Sequence, residues 1–96
     1  LGRQVSMIGY IVTTKNTSTL KGEPMYFGTF YDEKGQVFDT VHFPQIAWKF
    51  PFRGRGFYSM RGKVVEDFGV CMVEVNWMEK QPMIRNIAME ELGSME

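Results

Sequence analysis

The stretch that decides the fold is residues 21–44, KGEPMYFGTFYDEKGQVFDTVHFP. Two runs rich in aromatic and β-branched residues, 25–32 and 36–43, are joined by the short connection DEKG at 32–35. An Asp at the first position and a Gly at the last suit a type I turn that ends in a glycine at positive φ. The stretch therefore predicts a β-hairpin, and its outer face is unusually aromatic.

More strands are predicted around this hairpin. The other expected elements are a long first strand at 5–15 with Gly9 inside it, a short helix within 44–52 that Pro51 ends, a fourth strand at 57–65 and a fifth at 70–78. A glycine inside a strand marks a bend or a bulge. A turn at 66–69 joins the last two strands and predicts a second hairpin.

The alternation of side chains assigns faces in the last two strands. In the fourth strand one face carries Tyr58, Met60, Gly62 and Val64, and the other carries Phe57, Ser59, Arg61 and Lys63. In the fifth strand the inward set is Cys71, Val73, Val75 and Trp77. The second strand has no clean assignment, because Phe27 and Phe30 are three positions apart and can share a face only if a bulge lies near Gly28. The aromatic residues expected in the core are Phe27, Phe43, Tyr58 and Trp77.

Five strands with a short helical segment between the third and the fourth are the order of an OB-fold, a small Greek-key barrel. An SH3-like barrel is the nearest competitor, but the long first strand and the position of the helix favour the OB-fold. We therefore predict an all-β, five-stranded OB-fold barrel over residues 1–78. The tail at 79–96 is expected to be weakly helical around 87–92 or disordered.

Length and composition bound the class of protein. Ninety-six residues are enough for one small domain, and the 15% aromatic content favours β structure. Cys71 is the single cysteine, which excludes an internal disulfide and predicts a cytoplasmic protein. No apolar run approaches the ~18 residues of a membrane span, so no membrane partner is expected. Because the chain begins with Leu1, we expect it to be a piece of a longer protein.

Charge is balanced overall but unevenly distributed. Residues 1–63 hold nine Lys and Arg against four acids, and residues 64–96 hold two against seven. This asymmetry predicts one basic and one acidic face, with charges scattered over a solvated surface as the alternative.

The sequence offers no catalytic or metal-binding constellation. His42 is the only histidine, and no serine or second histidine is placed beside it by the pattern. One Cys and one His do not make a zinc site, and the glycine loop at 53–56 lacks the Gly-Lys-Ser/Thr ending of a phosphate loop. We therefore expect no enzyme activity in this segment, no cofactor and no metal.

The pattern that indicates a function is basic residues interleaved with aromatic ones. Proteins that bind single strands use a positive groove for the phosphates and aromatic side chains on which the bases stack. The candidate nucleic-acid-binding residues are Lys15, Lys21, Tyr26, Phe30, Tyr31, Arg53, Arg55, Phe57, Arg61 and Lys63. The alternative for each aromatic residue is a place in the core.

The hairpin also resembles a known family. The motifs are Lys21-Gly22, the run MYFGTFYD at 25–32, Gly35, Phe43-Pro44 and, later, Gly62-Lys63-Val64 with Gly69. They resemble the OB domain near the C-terminus of the bacterial DNA polymerase III alpha subunit, over roughly residues 5–78. Phe30 stands where that family usually has Leu. The span from Gly35 to Phe43 is about one residue longer than usual, which predicts a bulge there.

The resemblance implies a module that contacts the single-stranded template ahead of a replicative DNA-directed DNA polymerase. The catalytic residues would then lie elsewhere in the parent chain. By this analogy Lys15, Lys21 and the exposed face of strands two and three are candidate contacts, and single-stranded DNA, other polymerase domains and replisome proteins are the expected partners. Two alternatives remain open: a protein-docking module within the replisome, for which the eight methionines are suited, and an RNA- or tRNA-binding OB domain.

Overall fold

The computed structural model describes residues 2–67 and 69–81 of the 96-residue chain. In chain order the elements are β1 (Gln4–Ser18), β2 (Pro24–Tyr31), β3 (Val37–His42), α1 (Pro44–Lys49), β4 (Phe57–Asp67) and β5 (Val70–Lys80). The predicted strands and the short helix are all present, and β5 runs two residues past the predicted end at 78. The helix predicted around 87–92 lies outside the described residues.

The strands close into a barrel in the order β1-β2-β3-β5-β4. Neighbouring strands are antiparallel, except that β3 and β5 are parallel. The helix α1 follows β3 and precedes β4 in the chain. This strand order and the place of the helix are those of an OB-fold, so the predicted fold class is confirmed. Within the described residues, no helix is both long enough and apolar enough to cross a membrane.

Strand β1 pairs with a different strand along each half of its length. Its residues 4–10 pair with β4, and its residues 10–18 pair with β2. Beyond Tyr10 the strand has β2 as its only paired neighbour among the described strands, and residues 12–18 are all exposed. The second half of β1 and the start of β2 therefore extend the sheet past the core.

Gly9 lies where β1 changes partners, and its role is close packing. A Cβ atom built there would lie 2.8 Å from the Phe30 Cβ and 2.9 Å from the Phe38 ring, so no larger residue fits without a shift. The irregularity of the strand lies three residues later, because the register with β2 shifts between Ile11 and Thr13.

The turn between β2 and β3 has the predicted chemistry. The Asp32 side-chain Oδ1 accepts hydrogen bonds from the backbone N–H groups of Lys34 and Gln36, both at 2.8 Å. The Gly35 N–H donates to the Asp32 carbonyl, and Gly35 adopts a φ of 79°. Asp32 and Gly35 thus hold the hairpin closed from its two ends.

The bulge predicted between Gly35 and Phe43 is absent. The register of β2 with β3 is continuous from Tyr26 opposite His42 to Tyr31 opposite Val37, so that prediction was wrong, and this pairing shows no bulge near Gly28 either. The conflict between Phe27 and Phe30 disappears because Phe27 lies half-buried on the outer face, while Phe30 points into the core.

A bulge lies instead in β5. Arg61 pairs with Trp77 and Gly62 pairs with Val75, which leaves Asn76 as an extra residue. The alternation therefore reverses after Asn76, so Met78 is buried and Trp77 is half-buried on the outer face. The prediction of an inward Trp77 was wrong for this reason.

Two other residues expected inside are exposed. Cys71 is exposed because the β4–β5 hairpin continues past the core there, and its neighbour Val70 is 48% exposed. Phe43, expected in the core, is 41% exposed because it lies between the end of β3 and the start of α1.

The core is formed mainly by β2, β4 and β5. Its buried members are Phe30, Tyr58, Met60, Val73, Val75 and Met78. Ile46 of α1 packs against this cluster from one end of the barrel. Phe50 and Phe52, which follow the helix in the chain, pack there as well. The Tyr58 hydroxyl accepts the Arg53 N–H and donates to the Gly54 carbonyl, so this buried polar group is satisfied.

A short series of hydrogen bonds links polar groups on the inner face of β2 and β3. The Thr40 hydroxyl donates to the Gly28 carbonyl at 3.3 Å and lies 2.8 Å from the His42 Nε2. Because the threonine proton is used toward Gly28, the favoured tautomer has His42 Nε2–H donating to Thr40. The His42 ring is fully buried, packs 4.8 Å from Phe52, and its Nδ1 has no partner among the described residues. Burial lowers the pKa of His42 from 6.5 to about 4.

Candidate nucleic-acid interface

Three aromatic rings form a row across the outside of the barrel. Tyr10 of β1 is directly opposite both Phe57 of β4 and Tyr31 of β2, and directly opposed residues share one face of a sheet. The Tyr10 and Phe57 rings meet edge to face with 5.2 Å between their centres. Tyr10 and Tyr31 are 38% and 46% exposed. We call Phe57, Tyr10 and Tyr31 the aromatic row.

The same face carries a stacked cation. Two residues along β1 from the row, Ile8 is 44% exposed and lies opposite Ser59. Two residues further, Ser6 lies opposite Arg61, whose guanidinium carbon is 4.8 Å from the centre of the Trp77 ring. This contact is a cation–π interaction, and it fixes a charge beside the exposed aromatic and aliphatic surface.

Together these residues define an outer face of β4, β1 and β2 with stacking surface at one end and positive charge at the other. Lys63 continues the positive end, because it follows Arg61 on the same side of β4 and is exposed. We call this the outer β4–β1–β2 face.

A groove borders this face on the side of the β2–β3 turn. Its volume is about 630 Å³. The lining side chains that matter here are Ser6, Ile8, Asp32, Lys34, Arg61 and Trp77. The groove thus combines an aromatic ring with charges of both signs. We call it the turn groove.

Two predicted arginines lie at the other end of the face. The Gly56 carbonyl accepts the Ile11 N–H at 3.1 Å, which ties the loop at 53–56 to the strand position next to Tyr10. Lys80 Nζ donates to the Arg53 carbonyl at 3.0 Å, so the loop is held on a second side. The side chains of Arg53 and Arg55 are exposed, and Arg53 lines a second groove with Trp77 and Lys80.

The predicted site residues fall into three groups. The structure brings Tyr31, Phe57, Arg61 and Lys63 onto one face, and Arg53 and Arg55 lie in the loop that leads into Phe57, with exposed side chains. Lys15 is exposed on β1 five residues beyond Tyr10, or about 16 Å along the strand, and Lys21 lies further out in the β1–β2 loop.

The remaining two residues lie on the inner side of β2. Phe30 is fully buried and stacks on Phe38 at 5.6 Å, so the prediction that it stacks on a base was wrong. Tyr26 shares the inner side with Phe30 and is half-buried against Phe52, with 5.9 Å between the ring centres. The parity of β2 explains both, since residues 26, 28 and 30 point the same way.

Sequence reasoning missed Ile8, Tyr10, Lys34 and Trp77. Alternation along β1 around the buried Gly9 would have placed Ile8 and Tyr10 outside together. The outward turn of Trp77 depends on the bulge at Asn76, for which the sequence carries no signal.

Within the part of the chain that the structure describes, no group of three or more His, Cys, Asp and Glu residues is arranged to hold a metal ion. The outer β4–β1–β2 face itself offers rings for stacking, a cation–π contact and charged side chains for ion pairing.

The fold and this face define the class of protein as an OB-fold barrel, and solved structures share the fold. The protein PriB from Ralstonia solanacearum is similar with a TM-score of 0.67 and 8% identity, over 81% of this chain and 96% of that one. A chain of the S. pombe Stn1–Ten1 complex is similar with a TM-score of 0.68 and 16% identity, over 93% and 67%. The second OB-fold domain of replication protein A from Methanococcus maripaludis is similar with a TM-score of 0.60 and 13% identity, over 84% and 86%.

No protein-family model and no curated protein sequence matches this chain. At identities of 8–16% the structural similarities establish the fold alone.

Proposed function

We propose that this chain is an OB module that binds single-stranded DNA on the outer β4–β1–β2 face, within a bacterial replicative DNA polymerase. The observation that carries the proposal is the aromatic row beside the Arg61–Trp77 pair on one exposed surface. Exposed rings side by side are stacking platforms for successive bases, and they accept any base.

The mechanism follows from the order of groups along the face. Bases stack on Tyr10, Tyr31 and Phe57, while the backbone phosphates pair with Arg61 and Lys63 at one end. Arg53 and Arg55 supply positive charge at the other end. Contacts to phosphate hold the strand in position and carry no sequence information.

The polymerase assignment rests on the motifs at 21–44 and 62–69 that resemble the DNA polymerase III alpha subunit. One of the similar structures is a domain of a replication protein, which fits a role in replication. In this proposal the segment itself catalyses nothing, works in the cytoplasm, and hands a strand to catalytic residues elsewhere in the parent chain.

The first test is fluorescence anisotropy of a labelled 15-mer of dT titrated with the chain at 50 and 200 mM salt. Six phosphate contacts on a single strand, four at Arg53, Arg55, Arg61 and Lys63 and two at Lys15 and Lys21, predict a salt slope of about −4, or about 300-fold weaker binding at the higher salt. Duplex DNA of the same length should bind more weakly, because its bases are not available for stacking. Absence of binding at tens of micromolar protein in low salt would refute the proposal.

The second test is Tyr10→Ala and Tyr31→Ala, two exposed residues outside the core. Each should weaken dT binding by roughly fivefold to a hundredfold, which is the loss of affinity expected when one base no longer stacks. Trp48→Ala is the matched control, because Trp48 is an aromatic residue of α1 that is 87% exposed and belongs to neither the row nor the turn groove. Loss of binding in the control alone would move the site to α1.

A docking module is the second candidate, and Trp48 is the observation that favours it. This side chain borders a groove of about 610 Å³ with Pro24, Pro44 and Ala47. If docking is the function, Trp48→Ala should reduce association with the parent polymerase and leave DNA binding unchanged. An RNA-binding role is tested by the same anisotropy with a uridine 15-mer, which should then bind more tightly than dT.

A further inference from the structure

The turn groove has two walls of different chemistry. One wall is the Arg61 guanidinium, which lies 4.8 Å from the Trp77 ring centre and is exposed toward solvent. A guanidinium plane backed by an aromatic ring is itself a platform on which a base stacks. The other wall is the β2–β3 turn, with Asp32 and Lys34 lining the groove.

Asp32 presents one carboxylate oxygen in a fixed position. Its Oδ1 accepts the N–H groups of Lys34 and Gln36, which sets the orientation of the side chain. Its Oδ2 has no hydrogen-bond partner among the described residues. A half-buried acceptor held by the backbone is suited to reading a donor on a ligand, because little side-chain freedom remains to be lost.

We propose that the turn groove is a nucleobase subsite that selects a base with an exocyclic amino group, and this inference rests on the proposed function. The base stacks on Arg61, and its amino group donates to Asp32 Oδ2. Cytosine presents its N4 amino group as a donor, whereas thymine presents the O4 acceptor at the same position. The carboxylate therefore attracts cytosine and repels thymine, two pyrimidines of the same size.

The test compares the wild-type chain on two labelled 16-mers, one of dT alone and one of alternating dT and dC. The mixed oligonucleotide should bind about three- to tenfold more tightly, the value of one hydrogen bond. A third 16-mer carries N4,N4-dimethylcytosine at the dC positions. It should lose the preference, because that base stacks but has no N4–H to donate, and this arm needs no protein variant.

The protein side of the test is Asp32→Asn against Glu66→Gln. The amide keeps the oxygen that accepts the two turn N–H groups and replaces Oδ2 with an NH₂ donor, so the preference should reverse toward dT. Glu66 is an exposed residue of β4 that does not line the turn groove, and its replacement by Gln removes the same charge, so Glu66→Gln should leave the preference unchanged. A circular dichroism melt of each variant confirms that it is folded.

The outcomes separate this inference from the proposed function. Equal, salt-sensitive binding of the dT and mixed 16-mers would overturn the subsite and leave the proposed function standing. An equal change of preference in Asp32→Asn and Glu66→Gln would also overturn it, since charge at a distance would then be the cause. No binding of any oligonucleotide would refute the proposed function and the subsite with it.

Discussion

His42 shows how one buried residue ties stability to pH. The ring is fully buried, has its Nε2 2.8 Å from the Thr40 hydroxyl and packs on Phe52, so burial makes charging it in the folded state unfavourable. The folded protein binds the proton with a pKa of about 4, and the unfolded chain binds it near 6.5. Between these values the unfolded chain holds more protons, so the free energy of unfolding decreases as the pH falls through this window.

We expect this single group to remove about 2 kcal/mol of stability between pH 7 and pH 4.5. The measurement is urea unfolding at both pH values for the wild type and for His42→Phe. Phenylalanine keeps the ring against Phe52 and does not titrate, so the variant should show a smaller loss by that amount. The carboxylates are common to both proteins and cancel in the comparison. Identical pH dependence in the two proteins would contradict the account.

At the scale of the element, the β2–β3 turn depends on one backbone conformation. Gly35 has a φ of 79°, and a Cβ atom built there would meet nothing within 4 Å. Gly35→Ala should therefore lower the free energy of unfolding by about 1 kcal/mol through the backbone alone. Gly35→Asn is the matched control and should lose less, because asparagine tolerates positive φ. An equal loss in the two variants, measured by urea unfolding, would point to a different cause.

The elements were largely predictable from the sequence, and their faces only in part. The turn residues and the alternation in β4 were sufficient for the hairpin and for Tyr58 and Met60 in the core. The bulge at Asn76 depends on how β5 meets β4, which is a property of the pair rather than of either strand. Trp77 and Met78 are both large and apolar, so composition does not distinguish which one points inward.

The candidate site was predictable to the same degree. Arg61, Lys63 and Phe57 were predicted correctly to share the outward face of β4, because a regular strand alternates. Phe30 was predicted outside because neighbouring aromatic residues on β2 gave a conflicting pattern. Tyr10 became part of the site only through pairing with two other strands, which a single strand's pattern does not contain.

For the whole molecule, the length of β1 bears on how long an oligonucleotide the proposed binding face would contact. Lys15 lies about 16 Å beyond Tyr10 on the extension formed by β1 and β2, and Lys21 lies in the loop at its end. In the proposed binding mode a short oligonucleotide would cover the aromatic row without reaching these lysines, whereas a longer one would reach both.

Lys15→Ala combined with Lys21→Ala should therefore weaken binding of a dT 15-mer and flatten its salt slope by about 1.4, because two phosphates are no longer neutralised. Binding of a dT 6-mer should not change. Anisotropy over a salt series gives the affinity and the salt slope for each oligonucleotide. Arg61→Ala combined with Lys63→Ala is the control, and it should weaken binding of both the 6-mer and the 15-mer. An unchanged slope with the 15-mer would remove Lys15 and Lys21 from the interface.

The same extension has a consequence that concerns other copies of the chain. Past Ile11, β1 has a paired neighbour on one side only among the described strands, so within residues 2–67 and 69–81 its other side is an open sheet edge. Open edges are templates for pairing between molecules. A lysine on such an edge opposes this pairing through charge repulsion. Lys15 lies within this edge, on the polar run TTKNTS at 13–18. We therefore expect Lys15 to oppose edge-to-edge pairing with a second copy, and an apolar side chain in its place to promote aggregation.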